Sequence, residues 1–390
     1  MQKSIVIYRV CRFTQAREDS RFFISQEENA MKFYMPARLY EESDVVAKHA
    51  KEITALGKKA LIVTGAHSAK KTGAQADLTE ILSDAGMDYE IFDQVEENPS
   101  TRTIMQACRS ADVADCDFVV GIGGGSPLDA AKAIALMLAH PNWKEEKLYQ
   151  NGQDNSHLPL VCIPTTCGTG SELTGVSVLT RREQGLKGSI PYVLFPDLAL
   201  VDGKYLAKAP KRLIANTATD ALAHLIEAYA NTGADDYTRM LVDRGLEVWA
   251  ESKNFLLGLE EADDARYSRL MLASSLAGMS IAQAGTTVPH GLSYNLTLEA
   301  QIPHGIAVGY FQAGYLRECP AQMRDHLLEK AGFASPGDLD AFFRQICQVP
   351  QVSQEVLAHC LTAVMNTPAK REICPFDANE QVLRRIAGLK

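Results

Sequence analysis

Apolar and polar positions alternate along the first half of the chain in the manner of strands separated by helices. Short apolar runs at residues 60–64, 89–92, 118–120 and 160–163 predict buried strands, and between them residues 78–85 and 101–110 repeat at helical spacing. Strands that alternate with helices pair in parallel, so this half is expected to be a doubly wound α/β domain.

Beyond Pro210 the short apolar runs largely stop. Apolar residues instead recur at helical spacing over residues 213–229, 240–249, 267–277 and 323–331, which predicts an all-α domain. A chain of 390 residues is long enough for two such cores. The expected organisation is an amino-terminal extension over 1–30, an α/β domain over 31–205 and a helical domain over 206–390.

The first 30 residues form an appendage to the fold in this interpretation. They hold one apolar run, at residues 5–8, followed by a polar stretch of mixed charge, and Met31 begins a segment that would itself make a plausible protein start. An upstream start codon would explain them. Their deletion is expected to leave activity and melting temperature nearly unchanged.

Composition excludes several classes of protein. With 48 acidic and 39 basic side chains the net charge is −9, and no basic cluster is dense enough to follow a nucleic-acid backbone. No apolar run approaches the roughly 20 residues that span a bilayer, so a cytoplasmic protein is expected. The nine cysteines form no Cys-x-x-Cys pair, which favours reduced core thiols over a disulfide framework.

Two Pro-His-Gly units place His290 and His304 14 positions apart. The proline before each histidine limits helix continuation, and the glycine after it leaves space beside the ring. Upstream, Asp220 and His224 are four residues apart in a helical segment and therefore project from one face. Carboxylate and imidazole groups together suit Fe²⁺ or Zn²⁺, although each histidine taken singly is equally well explained as a hydrogen-bonded core residue.

Two polar loops follow predicted strands of the first half. One is Gly-Ile-Gly-Gly-Gly-Ser-Pro at residues 121–127, where glycines allow close backbone approach to a ligand and the next helix presents its positive end to phosphate. The other is Thr-Thr-Cys-Gly-Thr-Gly-Ser-Glu at residues 165–172, rich in small donors. A tight turn and a solvated loop are the simpler explanations of each taken alone.

Together these motifs resemble the iron-containing, or group III, alcohol dehydrogenases from about Met31 to the carboxyl end. The resemblance implies a dinucleotide-binding α/β domain followed by an all-α metal-binding domain, the dehydroquinate-synthase-like architecture, with the nicotinamide meeting a small alcohol or aldehyde between them. The implied metal ligands are Asp220, His224, His290 and His304. The implied cofactor contacts are Asn98, Gly124, Gly125, Ser126, Thr165, Thr166, Thr169 and Lys187, although the segment around Lys187 could equally be a solvated hairpin.

The resemblance also bears on the choice between NAD and NADP. Members that prefer NAD often carry, after the first nucleotide-binding strand, an aspartate that binds the ribose hydroxyl. This chain has Gly65 there, followed by Ser68, Lys70 and Lys71, which suit a phosphate as in relatives that use NADP. The two lysines are also typical of a solvated helix start, so NAD stays open.

One departure from the family concerns proton transfer. Many members have a second histidine four residues after the first Pro-His-Gly histidine, where this chain has Tyr294. A phenol with a pKa near 10 is poorly matched to proton exchange at neutral pH. The proton is therefore expected to pass through water, through Tyr294 as a hydrogen-bonding link or through the cofactor ribose, unless Tyr294 only packs the wall.

Rival functions on this architecture are a polyol (glycerol-type) dehydrogenase and a dehydroquinate-synthase-like lyase. No Lys or Arg adjoins residues 220–228 or 290–304 in sequence, which favours a neutral small substrate over a phosphorylated sugar. A non-catalytic nucleotide-binding protein is a third possibility, against which four intact candidate ligands argue. Iron and zinc both suit the ligands, and a homodimer or larger homo-oligomer is expected from the family alone.

Overall fold

The structure is a computed structural model that describes residues 31–110 and 113–389, and one parallel sheet organises its first half. The strands are β1 (Arg38–Glu41), β2 (Lys59–Thr64), β3 (Asp88–Phe92), β4 (Phe118–Gly123), β5 (Leu160–Pro164), β6 (Val178–Arg181), β7 (Leu186–Ser189) and β8 (Leu198–Val201). Six of them form a sheet of order β1-β8-β5-β4-β2-β3, with every neighbouring pair parallel. β6 and β7 form a separate antiparallel hairpin.

Helices connect the strands and then form the second half. Those of the first half are α1 (Val45–Lys48), α2 (Ala50–Thr54), α3 (Ser68–Thr72), α4 (Ala74–Asp84), α5 (Thr101–Arg109) and α6 (Gly125–Ala139). Those of the second half are α7 (Lys211–Ala230), α8 (Asp236–Ala250), α9 (Lys253–Leu256), α10 (Asp264–Ala284), α11 (Val288–Ala300), α12 (His304–Glu318), α13 (Ala321–Lys330), α14 (Pro336–Ile346), α15 (Gln354–Met365), α16 (Pro368–Arg371) and α17 (Glu380–Ala387).

The central strands β2, β4, β5 and β8 are apolar at consecutive positions because helices cover both faces of the sheet. In β2, Leu61 and Val63 pack with Ile104 of α5 on one face, whereas Ala60 and Ile62 belong to the core on the other face. The helical half has its own core, where the buried Trp249 donates from its indole N–H to the Ala218 carbonyl at 2.8 Å.

The predicted fold class is confirmed: a parallel α/β half precedes a helical half. The boundary near residue 205 stays a prediction; it falls between the end of β8 and the start of α7. The expectation for residues 1–30 lies outside the described residues. No helix of the described chain combines the length and the apolar character that a membrane crossing requires.

Candidate functional site

A cavity of about 620 Å³ lies beyond the carboxyl ends of β2, β4 and β5 and reaches α7, α11 and α12. Ligands of parallel α/β sheets bind at this edge. Apart from Lys70, the residues that the sequence singled out for a cofactor, a metal or proton transfer all line its wall: Gly65, Ser68, Lys71, Asn98, Gly124, Gly125, Ser126, Thr165, Thr166, Thr169, Lys187, Asp220, His224, His290, Tyr294 and His304.

The glycine loop between β4 and α6 turns against neighbouring side chains. Gly123 has a φ of 151°, and a Cβ on Gly125 would lie 2.7 Å from Thr169 Cγ2, so larger residues do not fit. The amino terminus of α6 follows directly in the cavity wall. Its free N–H groups and positive dipole end create a favourable position for phosphate.

The threonine-rich loop after β5 is held against α6 by two buried charges. The Lys132 ammonium donates to the Ser171 carbonyl at 2.7 Å and to the Val176 carbonyl at 2.8 Å. Asp129 accepts from the Ser171 hydroxyl at 2.6 Å. Since buried charges persist when they are paired and hydrogen-bonded, this pair fixes the loop opposite the glycine turn.

Lys187 reaches the cavity from β7 of the hairpin. Its ammonium donates to Asn98 Oδ1 at 2.6 Å, and Asn98 itself has a left-handed backbone with a φ of 57°. The Asn98 N–H donates to the Ser126 hydroxyl at 3.1 Å. The segment is thus a hairpin, as the alternative interpretation held, but Lys187 faces the cavity and burial lowers its pKa.

Asp220 is the centre of a cluster of potential metal ligands. Its Oδ1 atom lies 3.6 Å from His290 Nε2 and 3.7 Å from His304 Nε2, and the ligand atoms of these three residues all fall within 4.8 Å of one another. Asp220 Oδ1 and His290 Nε2 are buried without a hydrogen-bond partner among the described residues. Buried polar atoms are normally paired, so an unpaired donor set fits a cation between them.

His224 lies beside this cluster rather than within its tightest part. Its Nε2 is 3.9 Å from Asp220 Oδ1, and its ring stacks on the His290 ring with centroids 4.5 Å apart. It is outside the group of three whose ligand atoms are all within 4.8 Å. Its role as a fourth ligand stays a prediction.

Second partners orient two of the imidazoles. His290 Nδ1 lies 2.7 Å from Glu227 Oε1, and His224 Nδ1 lies 3.1 Å from the Gly168 carbonyl. When these nitrogens carry the protons, both Nε2 atoms are left as free electron-pair donors. Sequence reasoning missed Glu227, although its spacing of seven from Asp220 and three from His224 placed it on the same helical face.

The charges of the cluster are strongly perturbed. Burial alone would raise the pKa of Asp220, but the neighbouring His224 and His304 hold it well below its ordinary value. Burial lowers the pKa of His304 to about 3 and also lowers that of His224. For His290 the burial is outweighed by Glu227 and Asp220, which raise its pKa to about 9. A divalent metal requires an anionic carboxylate beside neutral imidazoles, so His290 would release its proton when a metal binds its Nε2.

Tyr294 follows His290 by one turn of α11 and shares the cavity wall. Its ring stacks on the His304 ring with centroids 6.2 Å apart, and the Lys187 ammonium lies 5.7 Å from its centre. Burial raises the pKa of Tyr294 to about 12. The phenol therefore keeps its proton near neutral pH.

The cavity wall contains four lysines, Lys71, Lys187, Lys208 and Lys370. The sequence analysis named Lys71 and Lys187, whereas it did not name Lys208 and Lys370. Lys70, in contrast, pairs with Asp93 at 2.7 Å. The scarcity of Lys and Arg near Asp220 and His290 in sequence was thus a poor guide to the charge of the cavity.

The architecture is that of a metal-dependent nucleotide-binding protein. It combines a parallel α/β half with a helical half, and a cluster of potential metal ligands lies in the cavity between the sheet edge and the helices. The family model for iron-containing alcohol dehydrogenase matches residues 36–203, and that for the carboxyl-terminal region of the Fe-containing alcohol dehydrogenase family matches residues 214–326. An iron-containing alcohol dehydrogenase from Thermotoga maritima is 34% identical with a TM-score of 0.83, covering 91% of this chain and 98% of its own. The chain belongs to the iron-containing alcohol dehydrogenase family.

Two curated relatives are similar over a shorter stretch. The NADPH-dependent butanol dehydrogenase of Clostridium saccharobutylicum is 32% identical over 259 residues, and the sulfoacetaldehyde reductase of Bilophila wadsworthia is 31% identical over 271 residues. The alignments cover 64% and 66% of this chain. They span 65% of the length of the butanol dehydrogenase and 67% of that of the reductase.

Proposed function

We propose that the protein is an NAD(P)-dependent oxidoreductase that interconverts small primary alcohols and aldehydes with the help of a divalent metal. The observation that supports this most is the single cavity that holds both the glycine loop and the Asp220, His290 and His304 cluster. A nicotinamide cofactor bound along the glycine loop would place its ring beside a substrate held at the Asp220, His290 and His304 cluster. That juxtaposition is what hydride transfer needs.

The proposed metal ligands are Asp220, His290 and His304, with His224 as the fourth. Fe²⁺ is the metal we favour, on the strength of the family, and Zn²⁺ is the alternative that the same ligands accept. When bound, the metal supplies Lewis-acid polarisation of the substrate oxygen, and the nicotinamide exchanges a hydride with the adjacent carbon. The protein contributes the anionic charge of Asp220 and the orientation of His290 by Glu227.

The proposed cofactor contacts follow the cavity wall. Gly124, Gly125 and Ser126 at the start of α6 hold the pyrophosphate. Thr165, Thr166 and Thr169 contact the nicotinamide side, and Asn98 with Lys187 forms a hydrogen-bonded pair beside them. Lys132 and Asp129 both bind Ser171 and so hold the threonine loop beside α6.

NADP is the cofactor we propose over NAD. At the end of β2 Gly65 stands where an aspartate would bind the ribose hydroxyl, and Ser68 and Lys71 line the cavity there, as do Glu96 and Glu97. A hydroxyl and an ammonium suit a 2′-phosphate, whereas Lys70 is already paired with Asp93. The butanol dehydrogenase that resembles this chain is NADPH-dependent by name. A lower Michaelis constant for NAD than for NADP would overturn the proposal.

Metal removal and ligand substitution test the function. Asp220→Ala and His304→Ala are expected to lose metal and nearly all turnover, measured by metal analysis and by absorbance of the reduced cofactor with a panel of aldehydes. His359→Ala is the control, because that imidazole lies on the surface and pairs with Glu299. Full activity in metal-stripped protein would contradict the proposal. A cytoplasmic location and a homo-oligomeric state stay predictions.

A further inference from the structure

Lys370 is a basic residue of the cavity wall beside the first Pro-His-Gly unit. It lies on the short helix α16 and lines the cavity together with Thr286, His290 and Tyr294. Neither the proposed nucleotide contacts nor the proposed metal ligands include it. Lys370 lies 66 residues after His304 in the sequence, so the neighbours of the candidate ligands in sequence did not indicate it.

The side chain runs alongside the first Pro-His-Gly unit. A Cβ built on Gly291 would lie 3.6 Å from Lys370 Cγ and 3.1 Å from Val364 Cγ2, so the glycine leaves room for the lysine stem beside His290. The ammonium donates to the Thr286 carbonyl at 2.7 Å and to the Thr286 hydroxyl at 2.6 Å. Thr286 and Lys370 line the same cavity as the potential metal ligands, so the ammonium lies in the wall that a metal-bound substrate would face.

This ammonium forms no close ion pair within the described part of the chain. Among the residues that the structure describes, no carboxylate oxygen lies within 4.0 Å of Lys370 Nζ. Glu227 is the acid whose charge acts on it, but the Glu227 oxygens accept from His290 at 2.7 Å, from Gln312 at 2.8 Å and from the Thr287 N–H at 2.7 Å. Glu227 therefore acts on the half-buried ammonium only at a distance, and an anionic ligand in direct contact would add the close counter-charge that the ammonium lacks.

Two donors are left for such a ligand. An ammonium has three N–H groups, and the two acceptors recorded for Lys370 are both atoms of Thr286. The Thr286 hydroxyl oxygen accepts from the lysine, which leaves its own O–H to donate elsewhere. An oxyanion placed between them would receive one charge-assisted and one neutral hydrogen bond.

We propose that the preferred substrate is a short aldehyde or alcohol with an anionic group at its far end, held by Lys370 and Thr286 while its reacting carbon faces the metal cluster. This inference rests on the proposed oxidoreductase function. The anion is a carboxylate, a sulfonate or a phosphate, which share the oxygen chemistry that the two donors recognise. It replaces the expectation of a neutral substrate, which rested on sequence neighbours alone.

The test compares aldehydes of one chain length whose far end is a carboxylate, a sulfonate, a phosphate, a carboxamide or a methyl group. With metal-loaded enzyme and saturating NADPH, kcat/KM for at least one anionic aldehyde is expected to exceed that of the carboxamide and methyl aldehydes about tenfold or more, since a charged hydrogen bond is lost with the neutral ends. The member that is preferred identifies the anion. Preference for a neutral aldehyde over all three anions overturns the proposal.

Substitutions separate recognition from a structural role of Lys370. Lys370→Gln retains a donor for the Thr286 carbonyl, and it is expected to lower the ratio of anionic to neutral kcat/KM by about 10- to 100-fold, mainly through KM. Lys370→Arg should retain the preference. Lys208→Gln removes an exposed positive charge elsewhere in the same cavity wall and should leave the ratio unchanged. If Lys370→Gln lowers kcat/KM equally for all five aldehydes and also loses metal, Lys370 has a structural role only, which contradicts the proposal.

Binding of non-reducible anions keeps the test independent of turnover. Calorimetry with succinate, propanesulfonate and propyl phosphate is expected to show at least one that binds wild-type protein about tenfold more tightly than Lys370→Gln. Equal binding to both proteins overturns the anion site. If no aldehyde is reduced but the binding difference is present, the oxidoreductase function fails while the anion site stands.

Discussion

Glu227 is completely buried, and its carboxylate accepts hydrogen bonds from three neighbouring residues. Its oxygens accept from Thr287, from Gln312 and from His290, while neighbouring charges and hydrogen bonds hold its pKa below the ordinary value against the opposing effect of burial. A carboxylate behind a ligating imidazole sets the tautomer and increases the basicity of the other nitrogen. Glu227 is thus a positioning residue for His290.

Glu227→Gln tests this role at almost constant shape. The amide removes the negative charge behind His290, so metal affinity is expected to fall about 10- to 100-fold while the fold persists. Metal titration against a chelator of known affinity measures the change. Glu299→Gln serves as control, because Glu299 pairs with His359 on the surface. Unchanged metal affinity in Glu227→Gln would contradict the positioning role.

Tyr294 is expected to act as a neutral phenol, because its pKa is raised to about 12 by burial. Tyr294→Phe should therefore lower kcat without shifting the inflections of the pH–rate profile between about pH 6 and pH 9, since no group that titrates there has been removed. Tyr294→His introduces an imidazole that titrates near neutral pH and should add an inflection. Profiles unaltered in both variants would exclude Tyr294 from proton transfer.

Helices α7 and α12 carry three of the four proposed ligands and approach closely through a glycine. A Cβ on Gly305 would lie 2.0 Å from the Asn216 carbonyl oxygen, and the Ile306 N–H donates to Asn216 Oδ1 at 2.8 Å. The second Pro-His-Gly unit therefore ends in glycine because α12 begins against the backbone of α7. This contact fixes His304 opposite Asp220.

Gly305→Ala should force the two helices apart. The added methyl group meets a backbone carbonyl that cannot rotate away, so we expect a destabilisation of about 1–3 kcal/mol and a loss of metal as His304 shifts. Denaturant unfolding and metal analysis measure both effects. Gly337→Ala on α14 is the matched control, since its Cβ would meet only Ser335 Oγ at 3.6 Å. Wild-type metal content in Gly305→Ala would refute the account.

At the scale of the whole molecule, the two walls of the cavity come from different halves. The glycine and threonine loops belong to the sheet, whereas the proposed metal ligands belong to α7, α11 and α12. Each half has its own buried core. Nucleotide binding and metal binding are therefore expected to be separable.

Metal-stripped protein tests this separation. It should still bind NADPH, as measured by fluorescence, while turnover is lost and the melting temperature falls, because a ligand that binds only the folded state stabilises it by mass action. Added Fe²⁺ or Zn²⁺ should restore the melting temperature. Loss of NADPH binding together with the metal would show that the two walls do not form independently.

The sequence by itself determined the fold class and most of the proposed ligands. Strand runs and helical repeats depend on local periods of two and 3.6 residues, so β2, β3, β4 and β5 and helices α7, α8 and α13 were predictable within a few residues. The sheet strands β1 and β8 were not predicted, and α10 continues seven residues beyond its predicted end. The glycine and Pro-His-Gly motifs are likewise local, because each residue is needed for the backbone beside it. Their spacing marked Asp220, His290 and His304 before any geometry was known.

Only the tertiary structure decided which side chains support those motifs and what charge lines the cavity. The β6–β7 hairpin brings Lys187 to Asn98, 89 residues away, and α16 brings Lys370 to Thr286, 84 residues away. Contacts over such separations follow from packing of whole elements and leave no periodic trace in the chain. The neighbours of a residue in sequence therefore predict its backbone conformation, whereas the partner of its charged side chain is decided by the tertiary structure.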